Sequence, residues 1–299
     1  MNTMEQLVVD FIHKAWGSKD YFPGPQPVSI ERRHFDILRK NWYCVCEKTD
    51  GERYIFVANT FNGQRKSFLV NRSWSVIEVD LNLRPHAYDG TILDGELYEN
   101  ELFVYDALLV NGHCVGHLNF MDRYESIEKF LKTIIYMKKD PYRLRLKKMH
   151  AFTDFDDFAA NYLTTVKQNV DGLVFTPVYE PVRLGTHETL FKWKPRDQNT
   201  VDFQMKWDEC RNCWRLYAQE KGKLFYETDF LGDTQDWFEE DCIAECACVA
   251  NSWVPIKRRY DKNYPNNRRT LFRTIVNIKE NIQMTEFSLL ASQIATTHG

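Results

Sequence analysis

A β-hairpin is predicted by residues 43–58, which read YCVCEKTDGERYIFVA. Both arms are rich in aromatic and β-branched residues, and Thr49-Asp50-Gly51 supplies the turn between them. Lys48 stands at the end of the first arm, directly before that turn. A lysine in this position, beside a glycine that leaves space, can approach a phosphorus atom once its amine has lost a proton. The hairpin therefore predicts a strand-built site for a phosphorylated ligand.

Further Asp-Gly pairs occur at 89–90, 94–95 and 171–172. Tight hairpins alone would explain them, but their neighbours favour a functional site. Residues two apart in a strand share a face, so Asp94 lies with Glu96 and Lys192 lies with Lys194. Together with Asp171, these carboxylates can hold a divalent ion or a ribose, and the two lysines can hold phosphate oxygens. The combination predicts attack of Lys48 on an α-phosphate, with expulsion of pyrophosphate.

The composition is that of a folded soluble protein. The 299 residues include 39 Lys and Arg against 42 Asp and Glu, and 43% of the chain is hydrophobic. This length favours two domains, and no apolar run approaches the roughly 18 residues that a membrane span needs. Eight cysteines, unevenly spaced, favour a reduced intracellular protein over a disulfide scaffold. The N-terminus does not resemble a secretory signal.

Charge is unevenly distributed along the chain. Residues 257–273 contain seven basic side chains and one acid, residues 138–148 contain six and one, and residues 233–245 contain six acids without Lys or Arg. Each tract alone is most simply a solvated face, although two basic tracts together also suit a polyanionic ligand. After a polar break at 195–199, short β-like segments suggest a small barrel or sandwich. A helix over 268–282 follows them.

Residues 48–53 (KTDGER) match the KxDGxR signature of the covalent nucleotidyltransferases, which comprise mRNA capping guanylyltransferases and polynucleotide ligases. The later motifs of that superfamily have counterparts in this chain, in the same order, at Leu93–Glu96, Phe103–Asp106, Val170–Phe175 and Leu190–Pro195. Five motifs in sequence are far more specific than one. Within the superfamily, the chain resembles the capping branch more than the ligase branch. The residues that carry this resemblance are 22–29 (FPGPQPVS), 199–203 (NTVDF) and 259–266 (RYDKNYPN).

The resemblance implies an α+β protein of two domains. A nucleotidyltransferase domain with the ATP-grasp/ligase-like fold would occupy residues 1–199, and an OB-fold β-barrel with C-terminal helices would occupy residues 200–299. The second domain would open and close over the nucleotide.

The resemblance also assigns roles to individual residues. Lys48 would be the nucleophile and Tyr105 would stack on guanine. Ribose and the nucleoside would be bound by Thr49, Arg53, Arg72 and Glu96. The catalytic groups around the phosphates would be Asp171, Lys192, Lys194, Arg259, Asp261 and Lys262. A metal ion, Mg²⁺ or Mn²⁺, would be held by Asp94 and Asp171.

Two positions depart from the family pattern. Asn71 replaces the usual Asp before the arginine at 72, and Lys257 replaces an Arg that often begins the last motif. The second change exchanges a forked guanidinium for a point charge, which alters phosphate binding at that position. Separately, two interpretations stay open for Cys210, Cys213, Cys242, Cys246 and Cys248. Buried thiols are favoured over a zinc site, because the second group lacks a C-x-x-C spacing.

The leading hypothesis is an mRNA guanylyltransferase that transfers GMP from GTP, through a covalent lysyl-N–GMP, to a 5′-diphosphate RNA end. The nearest alternative is an ATP-dependent RNA or DNA ligase with the same lysine chemistry. An alternative from another class is a catalytically silent OB-fold scaffold that binds RNA. The capping resemblance further implies a nuclear location, docking to the phosphorylated C-terminal tail of RNA polymerase II, a separate RNA triphosphatase and no membrane.

Overall fold

The computed structural model describes residues 3–19, 22–260 and 262–298. It divides into two compact units. Unit 1 consists of Met1–Val28, Phe35–Trp193 and Phe287–Gly299, and unit 2 consists of Ser29–His34 and Lys194–Glu286. The chain therefore passes between the units more than once, and the domain limit at residue 199 stays a prediction.

The helices are α1 (Met4–Trp16), α2 (Phe35–Lys40), α3 (Phe120–Leu131), α4 (Phe155–Asp157), α5 (Arg268–Glu280) and α6 (Met284–His298). Thr3 caps α1 by accepting from the Gln6 backbone N–H (3.2 Å), and Gly17 ends it in the left-handed conformation (φ 69°). The predicted helix after residue 267 is confirmed as α5. Within the described ranges, every helix is too short or too polar to cross a bilayer.

The strands up to residue 114 are β1 (Pro25–Ser29), β2 (Tyr43–Thr49), β3 (Glu52–Phe61), β4 (Gln64–Asn71), β5 (Val76–Val79), β6 (Thr91–Tyr98), β7 (Glu101–Val110) and β8 (His113–Cys114). Those that follow are β9 (Arg143–Leu146), β10 (His150–Ala151), β11 (Val170–Pro177), β12 (Gly185–Trp193), β13 (Thr200–Asp208), β14 (Cys213–Glu220), β15 (Lys223–Phe230), β16 (Ile243–Val249) and β17 (Ser252–Arg258).

Unit 1 is built on two sheets. The first has the order β1-β12-β11-β2-β10, and the second has the order β5-β4-β3-β6-β7-β8, with β9 parallel to β7. The second sheet is buried on both faces, since Ile55 and Val57 pack with α1 and Phe56 packs with α3 residues. The two predicted strands are confirmed as β2 and β3, but the predicted hairpin is wrong, because β2 pairs with β10 and β11 whereas β3 pairs with β4 and β6 in the other sheet. The turn between them therefore joins the two sheets of the unit.

Unit 2 contains the third sheet, with the order β15-β14-β13-β16-β17. Alternate residues of β13 and β14, including Phe203 and Leu216, face a core that also takes in Leu271 of α5. The chain thus has the expected α+β class, but the expected closed barrel is wrong for the described strands. β15 pairs only with β14 and β17 only with β16, so the sheet stays open.

Candidate active site

Lys48 is the second-last residue of β2, next to the turn that follows the strand, and it pairs with Asp171 of β11. Its Nζ donates a hydrogen bond to Asp171 Oδ1 at 2.8 Å. In the β2–β11 ladder Val170 opposes Thr49 and Gly172 opposes Lys48, so Asp171 is the extra residue of a β-bulge. A bulge redirects a side chain out of the regular ladder. The structure thus brings together the lysine predicted to be the nucleophile and one of the predicted carboxylates.

Three of the predicted site residues form a second cluster. Arg53 binds both carboxylate oxygens of Asp94, and Tyr105 donates its hydroxyl to Asp94 Oδ1 at 3.0 Å. Arg53 also donates to the Pro25 carbonyl at 2.9 Å, which fixes its guanidinium. Burial raises the pKa of Tyr105 well above its ordinary value, so this hydroxyl is a neutral donor. Tyr105 is therefore held by its hydroxyl, and its role in stacking stays a prediction.

Glu96 of β6 accepts two hydrogen bonds from the turn that follows Lys48. Its carboxylate accepts from the Thr49 hydroxyl and from the Gly51 backbone N–H, the latter at 3.3 Å. A Cβ at position 51 would lie 2.7 Å from the Leu97 carbonyl oxygen and 2.7 Å from Glu96 Cγ. Only glycine fits so close to a neighbouring backbone. The glycine of the signature thus allows the turn to pack directly against β6.

Three further residues of the predicted site are Arg72, Lys192 and Lys194. Arg72 donates to Gln26 Oε1 at 3.0 Å, and burial together with the charge of Arg53 lowers its pKa. Lys192 lies in β12 opposite Val174 of β11. Lys194 directly follows β12 and belongs to unit 2.

Unit 2 carries the residues that were predicted to bind the outer phosphates of the nucleotide. Arg259 Nη1 lies 3.1 Å from Asp202 Oδ1, and Lys262 Nζ contacts the other oxygen of the same carboxylate. Glu245 lies 3.7 Å from the same Arg259 nitrogen. Asp261, predicted for the same group, lies outside the described residues. Asp202 was not predicted as a site residue, although an acid between the apolar residues Val201 and Phe203 indicates a buried carboxylate that needs a partner.

Lys147 was also missed. It belongs to a basic tract that most simply indicated a solvated face, yet it is buried and lies 2.9 Å from Glu47 Oε1 of β2. Its Nζ also donates to Thr49 Oγ1 at 3.2 Å. A buried, paired lysine is unusual, and here it connects β2 to the segment after β9.

The described side chains do not form a metal cage. In the parts of the chain that the structure describes, no group of three or more His, Cys, Asp or Glu side chains is arranged to hold a metal ion. Asp94 already accepts from Arg53 and Tyr105, while Asp171 accepts from Lys48. Both carboxylates thus have protein partners outside any such group of ligands, and their role toward a metal ion stays a prediction.

The cysteines of unit 2, all of them in the described part of the chain, do not form a group that could hold a metal ion either. Cys213, Cys242 and Cys246 are buried, Cys210 is exposed and Cys248 is intermediate. Burial raises the pKa of Cys246 well above its ordinary value, which keeps it a thiol, whereas zinc binds the thiolate.

Comparison with known proteins identifies relatives of the chain. The family model described as "mRNA capping enzyme, catalytic domain" matches residues 2–196. The chain is 31% identical over 283 residues to the mRNA-capping enzyme of Danio rerio, which covers 82% of this chain and 45% of the relative. It is 25% identical over 347 residues to the mRNA-capping enzyme subunit alpha of Neurospora crassa, and this match covers 91% of the present chain and 85% of the relative.

The chain spans about half the length of the first of these relatives and of the mouse mRNA-capping enzyme, of which the match covers 46%. Among solved structures, it is similar to mycobacterial DNA ligase D complexed with ATP and MES. That similarity has a TM-score of 0.43 at 12% identity and covers 80% of this chain and 95% of the other.

Proposed function

The chain belongs to the mRNA capping enzyme catalytic-domain family, and from that premise we propose that it is a GTP:RNA guanylyltransferase. The observation that carries this function is the Lys48–Asp171 pair at the end of β2. It provides a nucleophilic amine with a carboxylate already in hydrogen-bonding contact.

In the proposed first step, the Lys48 nitrogen bonds to the α-phosphorus of GTP. The bond from that phosphorus to the oxygen bridging to the β-phosphate breaks, and pyrophosphate leaves. Asp171 is the nearest acceptor for the proton that the amine must lose, since the two groups are 2.8 Å apart. Proton transfer over such a distance needs no intervening water.

In the second step, a β-phosphate oxygen of a 5′-diphosphate RNA end attacks the same phosphorus. The nitrogen–phosphorus bond breaks, which gives the GpppN end and returns the lysine. The only covalent bond that the protein forms is the one between Lys48 and phosphorus. Both steps therefore depend mainly on positioning the reacting groups and on neutralising the charge of the phosphates.

The other residues of the site would support these steps. Arg53, Arg72, Glu96 and Thr49 would bind the nucleoside, Tyr105 the base, and Lys192 and Lys194 the α-phosphate. Arg259, Asp261 and Lys262 would bind the outer phosphates. Mg²⁺ or Mn²⁺ would enter with the nucleotide as a counter-ion to its phosphates, and no step is assigned to it because the described carboxylates do not form a cage.

Partners and location extend the same proposal. Relatives named subunit alpha are parts of assemblies by that name, which supports a separate RNA triphosphatase partner for this chain. The family supports docking to the phosphorylated C-terminal tail of RNA polymerase II and a nuclear location.

The test is covalent labelling. The protein is incubated with α-labelled GTP or ATP and a divalent ion, denatured, and examined for label on the polypeptide. We expect a GTP-specific adduct that survives alkali and is released by acid. Lys48→Met should abolish it, whereas Lys40→Met, at an exposed lysine of α2, should retain it. Label from ATP alone would indicate a ligase, and no label on folded protein would indicate a silent scaffold.

A further inference from the structure

Asn71 is the residue at which the chain departs from the family pattern, directly before Arg72. Its side-chain Nδ2 donates to Glu52 Oε1 at 2.9 Å. Glu52 is the first residue of β3 and Asn71 is the last residue of β4. In the ladder between these strands Asn71 opposes Tyr54, so Glu52 is its diagonal neighbour, within reach of a side chain. The departure therefore has a partner in the same sheet.

The other end of the Asn71 amide fixes its orientation. Asn71 Oδ1 accepts from the Ser73 N–H at 3.1 Å, from the Ser73 hydroxyl at 2.8 Å and from the Ser75 N–H at 2.9 Å. A backbone N–H only donates, so these groups require the oxygen of the amide, and the nitrogen is left to face Glu52. The same bonds close the turn that contains Arg72.

The carboxylate of Glu52 separates an amide from an acid at position 71. Among the described residues Glu52 forms no salt bridge that would neutralise it. Tyr54 faces the same pair, and burial followed by the charge of Glu52 raises its pKa, so it adds no second charge. An aspartate at 71 would keep the acceptor bonds of the turn, but it would bring a second carboxylate against Glu52. Like charges on neighbouring strands are destabilising.

The pair also stands directly before two arginines of the predicted site. Arg53 follows its first member and Arg72 follows its second. Arg53 donates to the Pro25 carbonyl at 2.9 Å and Arg72 donates to Gln26 Oε1 at 3.0 Å, so both reach the start of β1. Burial, and after it the charge of Arg53, lowers the pKa of Arg72, because the two guanidinium groups repel each other. A link between the residues before them opposes their separation.

On the premise of the proposed guanylyltransferase function, we propose that Glu52 and Asn71 are a matched pair of positioning residues that hold Arg72 against the ribose of GTP. The carboxylate of Glu52 determines that residue 71 is an amide in this chain. The pair itself does not touch the nucleotide, and it acts through the turn that carries Arg72.

The pair predicts that restoring the usual family residue is harmful. In Asn71→Asp, the KM for GTP in adduct formation should rise about threefold to fivefold, which is the size expected for a cross-strand pair. The maximal rate should stay within about twofold, because a ribose contact acts in the ground state and in the transition state alike. Time courses with labelled GTP at several concentrations measure both quantities.

An exchange of the two groups is the decisive rescue. Glu52→Gln/Asn71→Asp reverses the direction of the hydrogen bond without a second carboxylate, and its KM should return to within about twofold of the unaltered protein. Glu52→Gln alone keeps an oxygen for the Asn71 amide and should raise KM less than Asn71→Asp does. Asn59→Asp adds the same charge further along β3 and should leave KM unchanged. Circular dichroism checks that each variant is folded.

Several results would overturn the pair. They are an unchanged KM in Asn71→Asp, a lower maximal rate with an unchanged KM, or an exchange variant whose KM stays as high as that of Asn71→Asp. If the unaltered protein forms no adduct, the proposed function fails. The pair is then judged by the calorimetric Kd for GTP and ATP, where equal values in Asn71→Asp and the unaltered protein would overturn it. Absence of any nucleotide binding would overturn both proposals.

Discussion

Two lysines of unit 1 form ion pairs that involve β2, Lys48 as a residue of that strand and Lys147 as the partner of its Glu47, and they differ in exposure. Lys48 lies 2.8 Å from Asp171 and Lys147 lies 2.9 Å from Glu47, so the two ion pairs have nearly the same length. The Lys48 side chain is 24% exposed, whereas that of Lys147 is 3% exposed and its partner 5%. A partly exposed lysine can meet a substrate and exchange a proton, but a buried one cannot leave its partner without stranding a charge. Exposure, rather than pairing, therefore distinguishes the proposed nucleophile Lys48 from the buried Lys147.

The largest expected effect tests the exposed pair. In Asp171→Asn, the Lys48 amine keeps a neighbouring oxygen but loses the carboxylate that we propose takes its proton. Adduct formation should slow by about 10²–10⁴-fold, the range typical of a positioned acid or base. Quenched time courses with labelled GTP measure this rate.

A matched acid provides the control for that change. Asp156→Asn alters an exposed carboxylate of α4 and should leave the rate unchanged. A rate for Asp171→Asn within threefold of the unaltered protein would show that the carboxylate does not take part in proton transfer.

The buried pair should govern stability instead. In Lys147→Met, Glu47 stays buried without its cation, and breaking a buried pair costs about 3–5 kcal/mol of unfolding free energy. Urea unfolding followed by circular dichroism measures the loss. Lys147→Met/Glu47→Leu should recover much of it, because no charge is then stranded.

The adjacent residue is the control. Lys148 is exposed and lies 4.7 Å from the Tyr162 ring centroid, so Lys148→Met should cost no more than about 1 kcal/mol. Equal losses for the two lysines would remove the distinction between the buried and the exposed position.

The same contrast shows how far sequence reasoning extends. Lys48 and its turn were predicted because the deciding residues are adjacent in the chain and follow a specific signature. Lys147 was not, because its burial depends on parallel pairing of β9 with β7, about forty residues away, and on β2 beyond it. A basic tract on its own gives no sign of such a partner. Pairing between distant strands is what local patterns leave undetermined.

Unit 2 shows the same division. The β-rich composition and the helix after residue 267 followed from local periodicity, and both are present. The open edges of its sheet and the convergence of Arg259 and Lys262 on Asp202 were not predicted. They depend on which strands are neighbours and on the anchoring of Asn266 to β13.

The smallest expected effect concerns His187 of β12, a buried group without a carboxylate at hydrogen-bonding distance. Its Nε2 lies 3.9 Å from Glu180 Oε2, and burial, opposed by the charge of Glu180, lowers its pKa below the ordinary value of 6.5. The unfolded chain therefore binds a proton as pH falls through about 6.5, while the folded state stays neutral to a lower pH. The stabilisation is complete above pH 6.5 and is lost on acidification, at up to about 1.4 kcal/mol per pH unit.

His187→Gln removes this titration and can keep a hydrogen bond with Thr189, whose Oγ1 lies 3.2 Å from Nδ1. Urea unfolding at pH 7.5 and pH 5.5 compares the two proteins, and the remaining titrating groups contribute equally to both. The unaltered protein should lose more stability between these pH values than the variant. Equal losses would mean that burial alone, without a paired charge, does not hold this imidazole neutral.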